Sequence, residues 1–469
     1  MRIMRSLLFS ASALALTACA SGPDYVVPLP SKALSGPFQT SSAAVDITAP
    51  AADSWWQLYD DPVLDQLIAD ALAANTDIRV AAARVARARA LLRGEGSNRL
   101  PQTDIGASAD YRRTSTADAG AGAEREDWRF DAGLNVAYEV DLFGRINRSI
   151  EAARGDLAAT QADADAVRVA VVAETARAYA DAASAAERLS VAEHIVALLD
   201  DSVSITRKRT LEGLAEELDA ARITALRDQR RAEIPAIAAE RQAALLRLAT
   251  LTGRTPESLP TIAATRVTTL RLDRPIPVGN GTELLARRPD IRAAERRLAA
   301  ATARIGVSTA ELYPRISLGG GIGSTSANVE DMFTSSAFRW AIGPFVSWSF
   351  PNQEAARARI AAARADSQAA LAEFDGTVLQ AIEEVEGALS NYTRLLERRA
   401  HLQSARDQAQ IAVNITRAQQ REGQIDGLTT LDAERSFAET QADLALADAR
   451  ITDAQIDLFR ALGGNWRQS

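Results

Sequence analysis

The second half of this sequence repeats the first. Arg99-Leu100-Pro101-Gln102-Thr103-Asp104-Ile105-Gly106 lines up with Leu312-Tyr313-Pro314-Arg315-Ile316-Ser317-Leu318-Gly319, and Asp77-Ile78-Arg79 with Asp290-Ile291-Arg292, both 213 residues apart. Farther along, Ala152-Ala153-Arg154 matches Ala362-Ala363-Arg364, Ile205-Thr206-Arg207 matches Ile415-Thr416-Arg417, Gly213 matches Gly423 and Gly253 matches Gly463, all 210 apart. A constant offset that changes once, by three, is a duplication with one loop of unequal length between residues 106 and 136. The period is far longer than a solenoid unit. The chain therefore folds as two copies of one subdomain, over 54–255 and 283–469, joined by a proline-marked connector at 256–282.

Both copies have the same order: a helix (about 62–98; 281–311) ending near a proline, a strand pair, a very long helix, a glycine-marked tip and a returning helix. The strands are expected at about 102–112, 128–142, 315–325 and 338–350. In the second of them Trp128, Phe130, Ala132, Leu134, Val136, Tyr138, Val140 and Leu142 alternate with Arg129, Asp131, Gly133, Asn135, Ala137, Glu139 and Asp141. That is period two. The fourth alternates Phe338, Trp340, Ile342, Val346, Trp348 and Phe350 with Arg339, Ala341, Gly343, Ser347 and Ser349. The apolar face has aromatics near both strand ends and the other face is small or charged, as in a membrane barrel with a watery lumen. The run Gly319-Gly320-Gly321-Ile322-Gly323 is no phosphate loop, because no helix N-terminus follows it.

Four such strands cannot close a membrane barrel, which needs about eight or more. Open edges cannot face lipid either, since each unpaired backbone group costs several kcal/mol there. Several chains must therefore share one barrel, and three chains supply twelve strands.

The runs from Arg145 to Glu212 and from Gln353 to Glu422 contain no proline. Each reaches roughly 100 Å at 1.5 Å per helical residue. Leu371, Phe374, Val378, Ile382, Val385, Leu389, Tyr392 and Leu396 are spaced three and four apart, a coiled-coil stripe. Alanine supplies about a fifth of the chain and permits close helix approach on more than one side. Pro235 predicts a break in the first returning helix.

Residues 1–18 read as an export signal, with Arg2 and Arg5 before the apolar run Leu7 to Leu16. Leu16-Thr17-Ala18-Cys19 resembles a bacterial lipobox, in which the Cys becomes the lipid-bearing N-terminus; Ala20, rather than Asp, matches outer-membrane sorting. Residues 19–53 are rich in Pro, Ser and Ala and read as an extended tether. Cys19 is the sole cysteine, which excludes a disulfide framework and a Cys zinc site, and the net charge of −8 argues against a nucleic-acid backbone as the main partner. His194 and His401 sit in helical runs without a ligand or triad pattern, and the carboxylates lie beside Arg on helices as solvated faces do, so no enzyme is indicated.

Taken in order, several features resemble the outer-membrane efflux protein family, TolC-like, in its lipidated branch serving resistance-nodulation-division pumps. They are Cys19 with Gly22-Pro23-Asp24-Tyr25-Val26-Val27-Pro28, Trp55-Trp56, the duplicated helix–Pro–strand pairs, Arg421-Glu422-Gly423 running into Leu431-Asp432-Ala433-Glu434-Arg435, and Ala461-Leu462-Gly463-Gly464-Asn465-Trp466. The resemblance implies a mainly α-helical fold with membrane β: a homotrimeric twelve-stranded outer-membrane barrel and a long periplasmic α-helical barrel. It implies a passive exit duct of a tripartite efflux system, lipid-anchored in the outer membrane, with a periplasmic adaptor and an inner-membrane pump as partners. No cofactor is expected beyond the lipid on Cys19. The tips Glu212-Gly213-Leu214 and Glu422-Gly423-Gln424 are expected to meet the adaptor. The resemblance also places a constricting acidic ring at Asp432, with Asp426 as second candidate and Arg435 placed to pair with a neighbouring helix. The first-copy counterpart of Asp432 is Arg222, so the two copies are chemically unequal there. The alternative reading is a lipid-anchored coiled-coil scaffold of the envelope, which explains Cys19 and the helices but neither the strands nor the duplication.

Overall fold

The computed structural model describes residues 21–28, 38–40, 42–115, 117, 125–272, 274–425 and 427–463. The export segment, Cys19, most of the tether up to residue 41, Asp426 and residues 464–469 lie outside that set. In chain order the elements are β1 (Val45–Asp46), α1 (Pro62–Ala74), α2 (Thr76–Ser97), β2 (Gln102–Arg113), β3 (Glu126–Val140), α3 (Arg145–Leu211), α4 (Glu217–Arg231), α5 (Ile234–Leu251), β4 (Ile276–Pro277), α6 (Gly281–Arg287), α7 (Pro289–Ala310), β5 (Arg315–Ser326), β6 (Phe338–Ser347), α8 (Glu354–Arg421) and α9 (Gly427–Ala461). Short 3₁₀ turns lie between some of them. No helix among the described residues is long and apolar enough to cross a membrane. The chain divides into two compact units, one of residues 1–28, 84–161 and 293–375, the other of 29–83, 162–292 and 376–469.

The first unit holds a four-stranded antiparallel sheet in the order β2-β3-β5-β6. Its register joins Ile105 to Leu134, Leu134 to Ile322 and Ile322 to Trp340, so the apolar positions of all four strands share one face. Tyr111 and Trp128 meet edge to face on that side, with ring centroids 5.7 Å apart. The opposite face joins Gly106 to Gly133, Gly133 to Gly323 and Gly323 to Arg339. There Asp131 accepts hydrogen bonds from Thr325 at 2.7 Å and Arg339 at 2.5 Å. Phe345 is the bulky exception on this small-residue face; Gly319 makes room for it, because a β-carbon there would lie 2.7 Å from the ring. Among the described residues β2 pairs only with β3, and β6 only with β5. Both outer edges are left open.

Two strands stop short of their expected ends. β3 leaves the sheet at Val140 because the next residue, Asp141, caps α3, accepting from the N–H groups of Ile146 at 3.0 Å and Asn147 at 2.8 Å. β6 ends at Ser347, and the Trp348 indole N–H donates to the Leu312 carbonyl at 3.1 Å.

The helices differ from expectation in one respect. The opening helix of each copy is two helices. Asn75 interrupts the first: its side chain accepts from the N–H groups of Asp77 and Ile78, starting α2 afresh. Pro289 interrupts the second by holding Arg288 extended. Pro235 breaks the first returning helix into α4 and α5, while the proline-free α9 runs 35 residues unbroken. The long helices α3 and α8 contain 67 and 68 residues.

The second unit is built on a core of Trp55, Trp56, Leu64, Leu67, Val172, Tyr179, Leu248, Leu389, Ile456 and Phe459. Trp55 stacks on Phe459 with centroids 4.7 Å apart. Burying each large apolar side chain contributes about 1.5–3 kcal/mol. The end of the expected tether belongs to this core: Val45 and Ala51 are buried, and β1 pairs in parallel with β4 of the connector. That stretch is extended but docked.

Asp181 of α3 is half-buried beside Asp453 of α9, and burial, followed by the Asp453 charge, pushes its carboxyl up to about 6. A carboxyl raised in the folded state favours folding below its ordinary value, and that contribution is lost as pH rises through about 6. Asp181→Asn removes the penalty of ionisation. Its melting temperature relative to wild type is expected to be higher at pH 8 than at pH 4.5, and a pH-independent difference would show that Asp181 does not titrate in this range.

Candidate functional site

Each long helix ends in the same turn. Gly213 after α3 and Gly423 after α8 have φ of 72° and 71°. The flanking bonds are also equivalent: Gly213 N–H to Thr210 and Leu214 N–H to Arg209, Gly423 N–H to Gln420 and Gln424 N–H to Gln419. This is a Schellman closure, which needs a left-handed residue and so favours glycine. The space around both glycines is open. The side chains differ. The first tip exposes Leu211 and Leu214; the second exposes Gln424 beside Arg421 and Glu422. Arg209 donates to the Gln420 carbonyl at 3.1 Å and joins the two hairpin ends.

Behind the tips the four helices α3, α4, α8 and α9 enclose a cavity of about 580 Å³. Glu434 of α9 lines it, about 95% buried. Its carboxylate accepts from Ser202 of α3 at 2.7 Å and from Arg417 of α8 at 2.9 Å. One carboxylate thus holds α9 to both long helices. The hydroxyl of Thr430, one turn earlier, is buried in the same lining without a hydrogen-bond partner.

Asp432 and Arg435 flank Glu434 in sequence but occupy the opposite, exposed side of α9 with Ser436 and Glu439. Within the chain Arg435 pairs along its own helix with Glu439 at 3.1 Å, and Glu439 also accepts from Arg230 of α4 at 3.1 Å. Asp426 and Cys19 lie outside the described residues. Glu434 escaped the sequence reading because a charge in an Arg-rich helix reads as solvated. The signal was its spacing: Thr430, Glu434, Phe437 and Ala438 fall on the buried stripe of α9.

The chain thus combines a four-stranded sheet with two open edges, helices of 67 and 68 residues that each turn back at a glycine, and a twofold internal repeat. The sequence profile of the outer membrane efflux protein family matches twice, over residues 67–254 and 281–464. The chain belongs to this family. The outer membrane protein of pyoverdine export, OpmQ, from Pseudomonas putida is 32% identical over 419 residues, covering 88% of each chain. The cation efflux system protein CusC of Escherichia coli O157:H7 is 30% identical over 469 residues, covering 97% of this chain and 98% of CusC. The solved structure of the outer-membrane channel OprN has 35% identity and a TM-score of 0.89, covering 96% of this chain and all of OprN. The efflux protein is therefore an outer-membrane channel that extends into the periplasm. It is trimeric, with four strands from each chain in a twelve-stranded barrel and an α-helical barrel in the periplasm. Its relatives are transport channels.

Removing one partner of a buried ion pair is costly because it leaves the other uncompensated. Glu434→Ala is expected to lower the melting temperature of the trimer by several degrees. Glu434→Ala combined with Arg417→Leu is expected to recover part of that loss. Equal melting of wild type and Glu434→Ala would show that the three-helix tie carries no stability.

Proposed function

We propose that this efflux channel is the passive exit duct of a three-part pump and carries out no chemical step of its own. Energy and cargo choice then reside in an inner-membrane pump, and a periplasmic adaptor docks on the hairpin tips. The carrying observation is the sheet: one uncovered apolar face, one small-residue and polar face, and two edges left unpaired among the described residues, which copies of the same chain can close. A lipid-anchored coiled-coil scaffold leaves that sheet without a purpose. The relatives' names favour a lumen that does not choose its cargo, since pyoverdine and cations share little chemistry.

Two local roles belong to this reading. Glu212-Gly213-Leu214 and Glu422-Gly423-Gln424 are the adaptor-contacting turns, the exposed Leu211 and Leu214 giving the first an apolar surface for a partner. Asp432 lies on the exposed stripe of α9, where threefold symmetry turns one carboxylate into a ring of three. Such a ring attracts cations and repels anions. Asp426 is the second ring candidate, and Arg435, held by Glu439, braces the same stripe.

Planar-bilayer recording tests the ring. Wild type is expected to give a small, cation-selective conductance blocked by multivalent cations. Asp432→Ala is expected to weaken the block and raise leakiness to large antibiotics, whereas Arg435→Ala is expected mainly to raise leakiness. Unchanged block and selectivity in Asp432→Ala would move the ring elsewhere, with Asp426→Ala the next variant. Cysteines placed at the tips should cross-link to the adaptor, and failure at every tip position would remove the docking assignment.

A further inference from the structure

The first residues after the lipobox are seated on the first unit. The Ser21 N–H donates to the Phe143 carbonyl at 3.1 Å, in the turn between β3 and α3. The Ser21 carbonyl accepts from Arg148 Nε at 3.2 Å, and the Asp24 carboxylate accepts from the same guanidinium at 2.6 Å. Tyr25 donates its hydroxyl to Glu295 of α7 at 2.7 Å. The Arg148 side chain is only 7% exposed, although Asp24 is 88% exposed. Without this segment the buried guanidinium would retain Glu151, at 2.8 Å, as its ion-pair partner.

The seat is shaped as well as bonded. Gly22, at φ 86°, crosses Gly306 of α7 so closely that a β-carbon on Gly22 would lie 2.5 Å from the Gly306 Cα. A β-carbon on Gly306 would in turn lie 2.6 Å from the Ser21 carbonyl and 2.8 Å from Arg148. Two missing side chains at one crossing make a groove for a backbone. The groove adjoins the helix-side end of the sheet, where Phe143 stacks on Tyr313 at 4.5 Å and Trp348 on Phe350 at 4.7 Å. Aromatic rings at a strand end are the signature of a membrane–water interface.

We propose that Ser21–Tyr25 is a strap seated between α3 and α7, with Arg148 as its positioning residue, and that it delivers the lipid-bearing end of the chain to one fixed point at the periplasmic rim of the sheet. Two residues of extended chain reach about 7 Å. An acyl group on Cys19 therefore enters the leaflet beside the aromatic rim of its own protomer, not at the end of a free linker. The proposal rests on the reading of Cys19 as the lipid acceptor and of the sheet as the membrane barrel. The partner of this rim is the acyl-chain region of the inner leaflet of the outer membrane.

The test uses the full chain in outer-membrane vesicles. Cys19 is the only natural cysteine, so a thiol introduced at the exposed Val26 is the single free site for a nitroxide once Cys19 is acylated. The label is expected to be immobilised in the parent chain, and immobilised too in Cys19→Ser, because the seat and not the lipid holds the strap. Gly306→Val is expected to make it mobile while acyl labelling of Cys19 continues and the trimer recovered from the outer membrane falls several-fold. Asp24→Ala with Tyr25→Phe loosens the strap without touching the helices and is expected to raise label mobility even if Gly306→Val fails to fold. A label mobile in the parent chain, or equally immobile in Gly306→Val and in the Asp24/Tyr25 double variant, overturns the strap. Acyl labelling that persists in Cys19→Ser overturns the lipid-bearing part alone.

Discussion

An unpaired backbone N–H or C=O in hydrocarbon costs several kcal/mol, and this chain carries two open strand edges, β2 and β6. The trimer follows from that cost. Neither copy of the repeat can remove an edge by itself: each brings one hairpin, and together they make a sheet whose ends still face outward. Closure by three chains removes all edges at once. Everything near the threefold axis then occurs in triplicate, so one charge per chain becomes a ring.

The helices answer a different demand. Most of the stability of a 67-residue helix in a protein comes from packing against neighbours along its length rather than from intrinsic propensity. Along α3, Val171, Val172, Ala173, Ala176, Ala178, Ala180, Ala182, Ala183, Ala185 and Ala186 are all buried, which surrounds the helix rather than striping it. Alanine suits that position. It has the best helix propensity, loses no side-chain entropy on burial and lets neighbouring backbones approach closely. Larger residues are kept for the core around Trp55 and Phe459, where one layer of bulk locks the hairpins against the connector.

Most of this architecture was legible in the sequence, because period two and a 210-residue repeat are direct consequences of strand geometry and duplication. The failures share a cause: they depend on a partner far away in the chain. Asn75 reads as one more polar helix residue until its side chain is seen capping α2 and donating to the Leu251 carbonyl. Glu434 reads as solvated until Ser202, 232 residues away, is found against it. The Pro-rich N-terminal stretch reads as a linker, since nothing local reveals that Gly306 and Arg148 form a seat for it.

The two copies also show which features duplication preserves. The backbone demand survives: Gly213 and Gly423 keep the same left-handed φ and the same closing bonds. The chemistry does not. At matched positions of the repeat Leu214 corresponds to Gln424, Arg222 to Asp432 and Thr224 to Glu434. A turn must close in both hairpins or neither helix can reverse, so its glycine is fixed by geometry. A side chain on a hairpin's outer stripe answers only to what that hairpin meets. Had both copies met the same surroundings, an acid would be as useful in one as in the other. Arg in one and Asp in the other make the exposed stripes of the two hairpins chemically unequal. Glu434 then has a reason to exist in one copy only: the hairpin with the acidic outer stripe is the one tied inward, through a buried carboxylate, to both long helices.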